Sequence, residues 1–568
     1  MAKLSTELSR FASPLFLSQV SSLKLSLGKL LTVTILSTTL LGCSVKSGPV
    51  DIREQAKNLD QDIDRLYAGQ EAIREPIGLY DAMARGIKYN VEKRDAVLSQ
   101  MMANGEIDLK ALDMLPKAYA TASAGGRSDK GYISARSQAT GGQSLEPSQF
   151  QDQYLRAANL ALSWNTLDAG LGYISTKEAS DKSRVVTERR RKVVQNIAQD
   201  IREAYWKAAS AQLLNDHIDG MLKKSRHLAR ELEEHENEKA AGDMGELLTL
   251  QKRLYDTMQD LLAERDALST AHIELASLMG LPPSTNFRLD IDESRITGNN
   301  TIPELKSDMR ELEVLALMIR PEMREQTLLR RVASRDMHKT MLETFPGLGS
   351  IFAYNYDSNS FLNDQDWTEA SIGLTQDILK IFSLHQRMRQ SEYRADQADL
   401  KRMAMTAGVL TQVNIAYARY DLARDRYDLL KSMMGVNRRL QEYAAAKTER
   451  SVLNDARLLS AQMDSLLTRT RLQLAYAESQ NAFGRVVNSL GLDPLPPHIE
   501  DQNLDAISEV IEARFDNLDG RVINSLLTTI RNKTNLLDQD RGVPSRLQHI
   551  QPVSAIEGQV KKADNKSL

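Results

Sequence analysis

The chain has 568 residues, of which 42% are hydrophobic, 5% aromatic and 26% charged, with a formal net charge of −3. This near-neutral balance argues against a nucleic-acid-binding protein, whose domains are usually strongly basic. Few aromatic residues and modest glycine and proline content favour a helix-rich protein with a thin core over a compact β protein. Beyond the N-terminus, no apolar run reaches the roughly 20 residues that a membrane-spanning helix needs.

The N-terminus has the pattern of a secretory signal. Lys24 and Lys29 precede an apolar run over residues 30–41, which is too short to span a membrane. The run ends in Leu40-Leu41-Gly42-Cys43, which resembles the lipobox of bacterial lipoproteins, where cleavage precedes a cysteine that is then acylated. As the only cysteine, Cys43 has no partner for an internal disulfide. We predict a signal peptide over residues 1–42 and lipidation of Cys43; the alternative is an incidental cysteine in a signal cleaved elsewhere.

A helix and two strands are predicted next, before the longest periodic stretch of the chain. In the second strand Leu160, Leu162 and Trp164 fall on one face, whereas in the first Tyr119 is the only large side chain. The predicted elements are, in chain order, a polar tether (44–75), a helix (76–104), a short strand (117–122), a loop rich in Gly, Ser and Gln (123–150) and a second strand (154–166).

After the second strand the spacing becomes that of a coiled coil. Apolar or small residues recur at steps of three and four from Val194 to Met221. After a short break at residues 241–245, the coiled-coil spacing resumes with Leu247 and Leu254. A stretch of about 60 residues without a helix-breaking proline corresponds to roughly 90 Å of α-helix. The pattern predicts a long antiparallel helical hairpin with a polar tip.

The same order of predicted elements is repeated in the second half of the sequence. Leu-Asp-Met-Leu-Pro at residues 112–116 matches Leu-Glu-Thr-Phe-Pro at residues 342–346, an offset of 230. Further along, an offset of 212 aligns Ala204-Tyr205 with Ala416-Tyr417. Such a duplication indicates an architecture built from two similar units that pack together.

The second copy repeats the elements of the first. Both end in Leu-Gly followed closely by Pro-Pro, so that Gly491 corresponds to Gly280. The elements of the second copy are a helix (310–340), a strand in which Phe352, Tyr354 and Tyr356 alternate, a polar loop (355–366), a strand with Ile372 and Leu374, and a hairpin whose break lies at residues 447–451.

The coupling of strands to long helices narrows the possible functions. Heptads over four helices alone would indicate only an elongated helical protein. Four strands are too few for a sizeable membrane barrel, and open sheet edges are unstable in lipid. If the strands cross a membrane, several chains must contribute to one barrel.

In the order of these features the chain resembles the TolC-type outer membrane efflux proteins, over roughly residues 76–497. The order and the duplication carry the resemblance, since no single motif is specific. The matching residues are Ile87-x-x-Asn90, Leu115-Pro116 and Leu167-Asp168-Ala169-Gly170 in the first copy, residues 315–322, Phe345-Pro346-Gly347-Leu348 and Leu374 to Leu379 in the second, and the two Ala-Tyr pairs.

The resemblance implies a mainly α fold with a short β-barrel portion. Internally duplicated coiled-coil hairpins would form a periplasmic tunnel, and four membrane strands per subunit would join in one trimeric barrel. The implied protein is a homotrimer in outer membrane lipid, anchored through Cys43, with a periplasmic adaptor and an inner membrane transporter as partners. Its implied role is a passive conduit in tripartite efflux or type I secretion, with no cofactor.

By position, the two hairpin turns are candidates for the tunnel tip and for adaptor docking. The first copy keeps a glycine and an acidic residue before a leucine pair, whereas in the second an alanine, Ala445 or Ala446, stands near the glycine position. The alternative for each charge is a solvated helix turn. The candidate residues are Gly242, Asp243, Gly245 and Glu246 in the first copy and Lys447, Glu449, Arg450 and Asp455 in the second.

No catalytic pattern stands out in the sequence. It has no HExxH motif, no cysteine cluster and no phosphate-binding glycine loop, and its eight histidines are scattered. We predict a non-enzymatic export duct without metal or nucleic-acid partner; the alternative is a non-conducting periplasmic coiled-coil lipoprotein. The predicted domains are the signal peptide (1–42), an acylated tether (43–75), the first repeat (76–283), a linker (284–309), the second repeat (310–497) and a C-terminal segment (498–568).

Overall fold

The chain divides into two compact units, Met1–Ala68 and Gly69–Leu568. In the first unit, Asp51 caps a helix, α1 (Ile52–Tyr67), by accepting a hydrogen bond from the backbone N–H of Arg53. The predicted signal peptide and Cys43 lie outside the described residues. The computed structural model describes residues 50–73, 76–143, 146–238, 244–291, 308–446, 452–496 and 503–516, together with a few isolated positions.

In the second unit the order of two helices, two long strands and a helical hairpin occurs twice, which confirms the predicted duplication of the helical hairpins; β2, β3 and α6 occur in the first copy alone among the described residues. The first copy contains α2 (Leu79–Tyr89), α3 (Val91–Leu112), β1 (Lys117–Gly126), β2 (Gly131–Ile133), β3 (Ser148–Gln151), β4 (Tyr154–Asn165), α4 (Thr166–Glu238), α5 (Met244–Ser269) and α6 (Ala271–Leu278). The second contains α7 (Met309–Ile319), α8 (Pro321–Leu342), β5 (Gly347–Asp357), β6 (Asp366–Thr375), α9 (Ile378–Ala445) and α10 (Val452–Leu490), and α11 (Leu504–Asp516) follows it.

Each copy begins with two helices where the sequence predicts one. The backbone of Asn90 and of Arg320 is extended, with ψ near 133° and 134°, and this ends α2 and α7. The side chain of Asn90 then caps α3, because its Oδ1 accepts a hydrogen bond from the N–H of Glu92 at 2.8 Å. In the second copy Pro321 occupies the first position of α8, where its missing N–H costs no hydrogen bond.

The Leu-Gly at the end of each hairpin packs against this helix break. Gly280 and Gly491 have φ of +75° and +77°, a conformation that strongly favours glycine. A Cβ at Gly280 would lie 3.1 Å from Cβ of Tyr89, and one at Gly491 would lie 2.7 Å from Cα of Arg320. The repeated Leu-Gly therefore reflects a backbone requirement that both copies share.

Three apolar clusters hold the helices together. One joins α2, α4 and α6 around Ile87 and Ile201, and another joins α7, α9 and α10 around Leu312 and Val413. The third runs between the two hairpins and includes Ile218, Leu261 and Met463. The predicted heptad residues thus form the shared core of the helical layer. Within the described part of the chain, no helix is both long enough and apolar enough to cross a membrane.

The strands form an antiparallel sheet in the order β1-β4-β5-β6. The central pair, β4 and β5, joins the two copies, and β1 and β6 are the edges. The first strand is longer than the predicted residues 117–122, since it extends to Gly126. The predicted loop after it contains a small second sheet of β2 and β3.

Candidate functional site

One face of the four-stranded sheet is apolar. Directly paired residues of an antiparallel sheet lie on the same face. Leu160 pairs with Ala120 on one side and with Tyr354 on the other, and Leu162 likewise pairs with Ala118 and Phe352. The apolar residues of this face are Ala118, Ala120, Ala122, Ala124, Tyr154, Ala158, Leu160, Leu162, Trp164, Leu348, Phe352, Tyr354, Tyr356, Ala370, Ile372 and Leu374. Its polar exceptions are Ser350 and Thr368, with Arg156 and Asp366 near the loop end.

The opposite face is mostly polar. Tyr119 pairs with Ala161 and lies on this face, so the apolar surface of β1 comes from its alanines. Leu155, Ile351 and Trp367 are the large apolar exceptions. Every residue of β1 and β6 is exposed, so neither sheet face is covered at the edges. The polar residues of this face are Lys117, Tyr119, Thr121, Ser123, Asn159, Ser163, Asn165, Asn355, Asp357, Glu369, Ser371 and Thr375, and small residues such as Ala157, Ala161 and Ala353 lie between them.

Three helices carry exposed apolar stripes: α3, which leads into the edge strand β1, α9, which follows the edge strand β6, and α5 of the first hairpin. These stripes lie outside the buried faces of their helices, and they recur mostly at heptad spacing. On α9 the buried face includes Tyr420 and Tyr427, and the exposed stripe runs along the other side. The stripes are Val91, Leu98, Met102, Leu109 and Leu112 on α3, Leu248, Tyr255 and Leu262 on α5, and Ile415, Leu422, Leu429, Val436 and Tyr443 on α9.

A polar stripe runs along the face of α4 and α10 opposite the clusters that hold α2 and α7. Arg485 donates to Glu203 at 2.7 Å, Lys207 to Glu203 at 2.9 Å and Asn488 to Asn196 at 3.4 Å. Burial alone would raise the pKa of Glu203, but hydrogen bonds from Arg485 and Lys207 lower it to about 2. This stripe therefore holds fixed, paired charges at neutral pH.

Ion pairs between the hairpins continue this polar surface toward the tips. Arg471 of α10 contacts Asp260 at 2.9 Å and Glu264 at 3.4 Å on α5. Arg253 of α5 contacts Asp464 of α10. These residues were not among the predicted site residues. Their spacing of seven and four along α5 and of seven along α10 is the signal by which they could have been found.

Of the predicted tip residues, only two have a described environment. Gly245 is the second residue of α5, and Asp455 lies in the first turn of α10; both are exposed. Neighbouring Leu247 and Ala456 are both buried in the third apolar cluster, so the apolar core extends to the first turn of both helices. Glu246 lies in α5, but its side chain falls outside the described part, as do Gly242, Asp243, Lys447, Glu449 and Arg450 entirely.

No protein-family model matches this sequence, and no curated protein does. Solved structures do match. The outer-membrane channel OprN is 18% identical, with a TM-score of 0.53 over 73% of this chain and 89% of that one. The Neisseria gonorrhoeae MtrE outer membrane channel, solved in its open state, is 14% identical, with a TM-score of 0.57 over 75% and 94%.

A third match has the same character. The Campylobacter jejuni CmeC outer membrane channel is 14% identical, with a TM-score of 0.56 over 79% of this chain and 95% of that one. These matches span nearly the whole length of the channel proteins at low sequence identity. The predicted mainly α fold with duplicated hairpins is confirmed, and the chain has the fold of the TolC-type outer membrane channels.

Proposed function

We propose that the chain is one subunit of a homotrimeric outer membrane duct that exports substrates passively. The observation that carries this proposal is the sheet, whose apolar face and mostly polar face alternate along every strand. That alternation is typical of a barrel with lipid outside and water inside. The strands have ten to twelve residues, close to the length of about 9–11 residues that crosses a bilayer.

The free edges support assembly by a rotation. Among the strands that the structure describes, β1 and β6 each pair on one side only, so β6 of one subunit can pair with β1 of the next. Head-to-tail contacts of this kind close into rings when the rotation permits. Membrane barrels need about eight strands or more, and three copies would supply twelve. The number three rests on the resemblance to TolC-type proteins.

The apolar stripes on the helices extend the same interface below the sheet. In a head-to-tail ring, α9 of one subunit would lie beside α3 and α5 of its neighbour. Because α5 and α9 run in opposite directions, Leu248 would meet Tyr443 and Leu262 would meet Leu429. Burying such stripes is the usual reason for long helices to associate.

Inside such a ring, the polar stripe of α4 and α10 would line the tunnel. Pore-lining charges of this kind select by sign and by width. The paired charges around Glu203 would present both signs to the cargo, which supports a duct of low selectivity. Cargo choice would then rest with the partners rather than with the wall.

The partners follow from the position of the hairpin tips. We propose that a periplasmic adaptor and, through it, an inner membrane transporter bind near Gly245 and Asp455, and near the predicted tip residues that flank them. Lipidation of Cys43 would anchor the N-terminus in the outer membrane. No energy source, catalytic step or cofactor is needed for this role.

The alternative is a periplasmic coiled-coil lipoprotein that conducts nothing. A spacer of that kind has no use for a sheet with one apolar and one polar face. The separation of Ala120 from Thr121, adjacent residues on opposite faces, therefore favours the duct over the spacer.

Conductance of the purified protein in planar bilayers tests the proposal. In a duct, Thr121→Lys keeps conductance and shifts ion selectivity toward anions, because the new charge faces the lumen. The matched change on the other face, Ala120→Lys, hinders insertion by about 2–4 kcal/mol near the bilayer centre. If neither the wild type nor variants loosened at Glu246 and Asp455 ever conduct, the chain is a spacer and the duct proposal is wrong.

A further inference from the structure

A second site lies away from the polar stripe and the tips. A pocket of about 420 Å³ is lined by side chains from α4, α7, α8 and α9, beside the break between α7 and α8. It contacts both copies of the duplication, since α4 belongs to the first and the other three helices to the second. Its volume lies within the range of small-ligand sites.

The rim of this pocket is strongly cationic. It carries four arginines, Arg184, Arg324, Arg331 and Arg402, against one carboxylate, Glu188. In a chain whose net charge is −3, this is a local excess of the opposite sign.

The carboxylates near this rim, Glu188 and Asp181, already form ion pairs with other arginines. Glu188 is paired with Arg191 and lies 3.8 Å from Arg324. Arg331 lies 3.4 Å from the buried carboxylate of Asp181, which it shares with Arg335. Within the described residues the side chains of Arg184 and Arg402 have no ion pair or hydrogen bond. Two guanidinium groups therefore remain available to an anion.

The pocket floor is apolar. Met323 is 6% exposed and Leu328 is 9% exposed, so both are fixed in the helix packing. Leu317 and Met318 continue this surface from the end of α7, and Met318 is half-exposed at the mouth. The hydroxyl of Thr327 donates to the carbonyl of Met323, so it adds no free polar group to the floor.

The first copy shows that the fold alone does not require this chemistry. At the offset of 230, Lys93 stands in the place of Met323 and Met101 in the place of Arg331. The first copy thus has a charged residue where the floor is apolar, and an apolar residue where the rim is cationic. The combination of apolar floor and arginine rim belongs to the second copy.

We propose that this pocket binds a small amphiphilic anion, an organic molecule with one sulfonate, phosphate or carboxylate group on an apolar body. The arginines would hold the anionic group by charge-assisted and bidentate hydrogen bonds. The apolar body would cover Met323 and Leu328. A ligand seated there touches α4 of the first copy and α8 of the second, so it joins the two repeats. This proposal does not depend on conduction.

Binding of naphthalene-2-sulfonate to the full-length protein in nanodiscs tests the site. This probe is water-soluble and carries one anionic group on an aromatic body. Isothermal titration is expected to show one saturable site per chain, with empty nanodiscs as the blank. Inorganic sulfate and the neutral naphthalene-2-methanol should each bind at least about tenfold more weakly, because each lacks one of the two contacts. Bound probe should also raise the thermal midpoint of unfolding.

The double variant Arg184→Gln with Arg402→Gln should weaken sulfonate binding by about tenfold or more. Both arginines are exposed, so the variant is expected to fold. The matched control, Arg226→Gln with Arg439→Gln, removes one exposed arginine from each of the same helices and should leave binding unchanged. Three results would each overturn the proposal: no saturable sulfonate binding, equal binding of the neutral alcohol, or undiminished binding by the first double variant. Binding of an acidic, apolar peptide in place of the sulfonate would make the pocket a protein contact and would also overturn it.

Discussion

The helix breaks at Asn90 and Arg320 occupy equivalent places in the two copies, yet they are held by different chemistry. In both, a glycine with positive φ packs against the break, and its carbonyl accepts a hydrogen bond from a glutamine amide. Gln70 donates to the carbonyl of Gly280 at 2.7 Å, and Gln195 donates to that of Gly491 at 3.0 Å. Both copies therefore share the backbone geometry of the break, but the side chains that surround it differ.

In the first copy the break is held by the segment that precedes α2. The backbone N–H of Glu71 donates to the hydroxyl of Tyr89 at 2.9 Å, and Lys88 pairs with the Glu71 carboxylate at 2.6 Å. Arg85 donates to the carbonyl of Glu71 at 2.8 Å. Arg85 and Tyr89 are buried, but Lys88 and Glu71 are partly exposed, so the ion pair itself contributes modestly.

In the second copy a buried charge network takes this place. Arg320 is 3% exposed and donates to Glu322 and to Gln412, each at 2.7 Å. Lys192 of α4 lies 3.2 Å from the same carboxylate. The second break therefore depends on α4, a helix of the first copy. Both copies therefore have the same backbone geometry at the break, but the break in the second copy is stabilised by a helix of the first.

The largest effect expected is on the glycines themselves. Alanine at Gly491 must adopt positive φ and also clash with the backbone of Arg320, at a total cost of about 4 kcal/mol. Alanine at Gly280 also needs positive φ, but its Cβ would lie 3.1 Å from Cβ of Tyr89, a tight contact and not an overlap, and the change should cost about 1–2 kcal/mol. In thermal unfolding followed by circular dichroism, the midpoint of Gly491→Ala should be lower than that of Gly280→Ala, and both should be lower than that of the wild type.

The controls for this ranking are Gly220→Ala and Gly435→Ala. Both glycines are helical, and a Cβ at either would meet nothing within 4 Å. Alanine should stabilise each helix by up to about 1 kcal/mol. If Gly280→Ala lowers the midpoint as much as Gly491→Ala does, the two breaks are not held as differently as their contacts indicate.

Glu322 gives the second contrast between the copies, since its counterpart Glu92 is exposed. Burial favours a higher pKa for Glu322, but Arg320 and Lys192 lower it to about 2. Glu322→Gln leaves two cations without their carboxylate and should cost about 2–3 kcal/mol at pH 7. Glu92→Gln should change stability by no more than about 0.5 kcal/mol.

The pH dependence gives this second prediction its sign. Because the folded-state pKa of Glu322 is below its ordinary value of 4.5, the carboxylate stabilises the fold at neutral pH. That stabilisation is lost as the pH falls from 4.5 toward about 2. The gap in unfolding midpoint between wild type and Glu322→Gln should therefore narrow over this range. A gap that stays constant down to pH 2.5 would show that the carboxylate charge is not what holds the break.

Long-range periodicity made much of the fold predictable from the sequence. Heptads and two-residue alternation repeat over many positions, so one atypical residue hardly weakens them. The apolar face of β1 could not be predicted, because alanines carry little signal until their partners are known. Ala118 and Ala120 become part of an apolar surface only through pairing with Leu162 and Leu160.

The arginine-rimmed pocket was hidden for a related reason. Arg184 and Arg402 are 218 positions apart, and only the packing of α8 against both α4 and α9 brings their helices together. In the sequence each is one more charged residue on the polar face of a long helix. Residues at the tips could be predicted by position but not by environment, since helix turns are set by local contacts that differ between the copies.

The repeated Ala-Tyr pairs give the smallest contrast between the two copies. Here the tyrosine that aligns in sequence is not the one that has the equivalent structural role. Tyr205 is 2% exposed, and its hydroxyl donates to the carbonyl of Asp290 at 2.8 Å. Its sequence counterpart, Tyr417, is half-buried, and its hydroxyl makes no hydrogen bond within the described residues. Tyr420, three residues further along α9, is buried instead, and its hydroxyl makes a hydrogen bond with the backbone of Leu305.

Phenylalanine substitutions separate role from alignment. Tyr205→Phe and Tyr420→Phe should each cost about 1 kcal/mol, because each removes the hydrogen bond that a buried side chain makes to the backbone. Tyr417→Phe should change the free energy of unfolding by less than about 0.5 kcal/mol. Comparing the three unfolding midpoints measures this difference directly. If Tyr417→Phe proves as costly as Tyr205→Phe, the role has stayed with the aligned residue, and the copies differ less than their hydrogen bonds indicate.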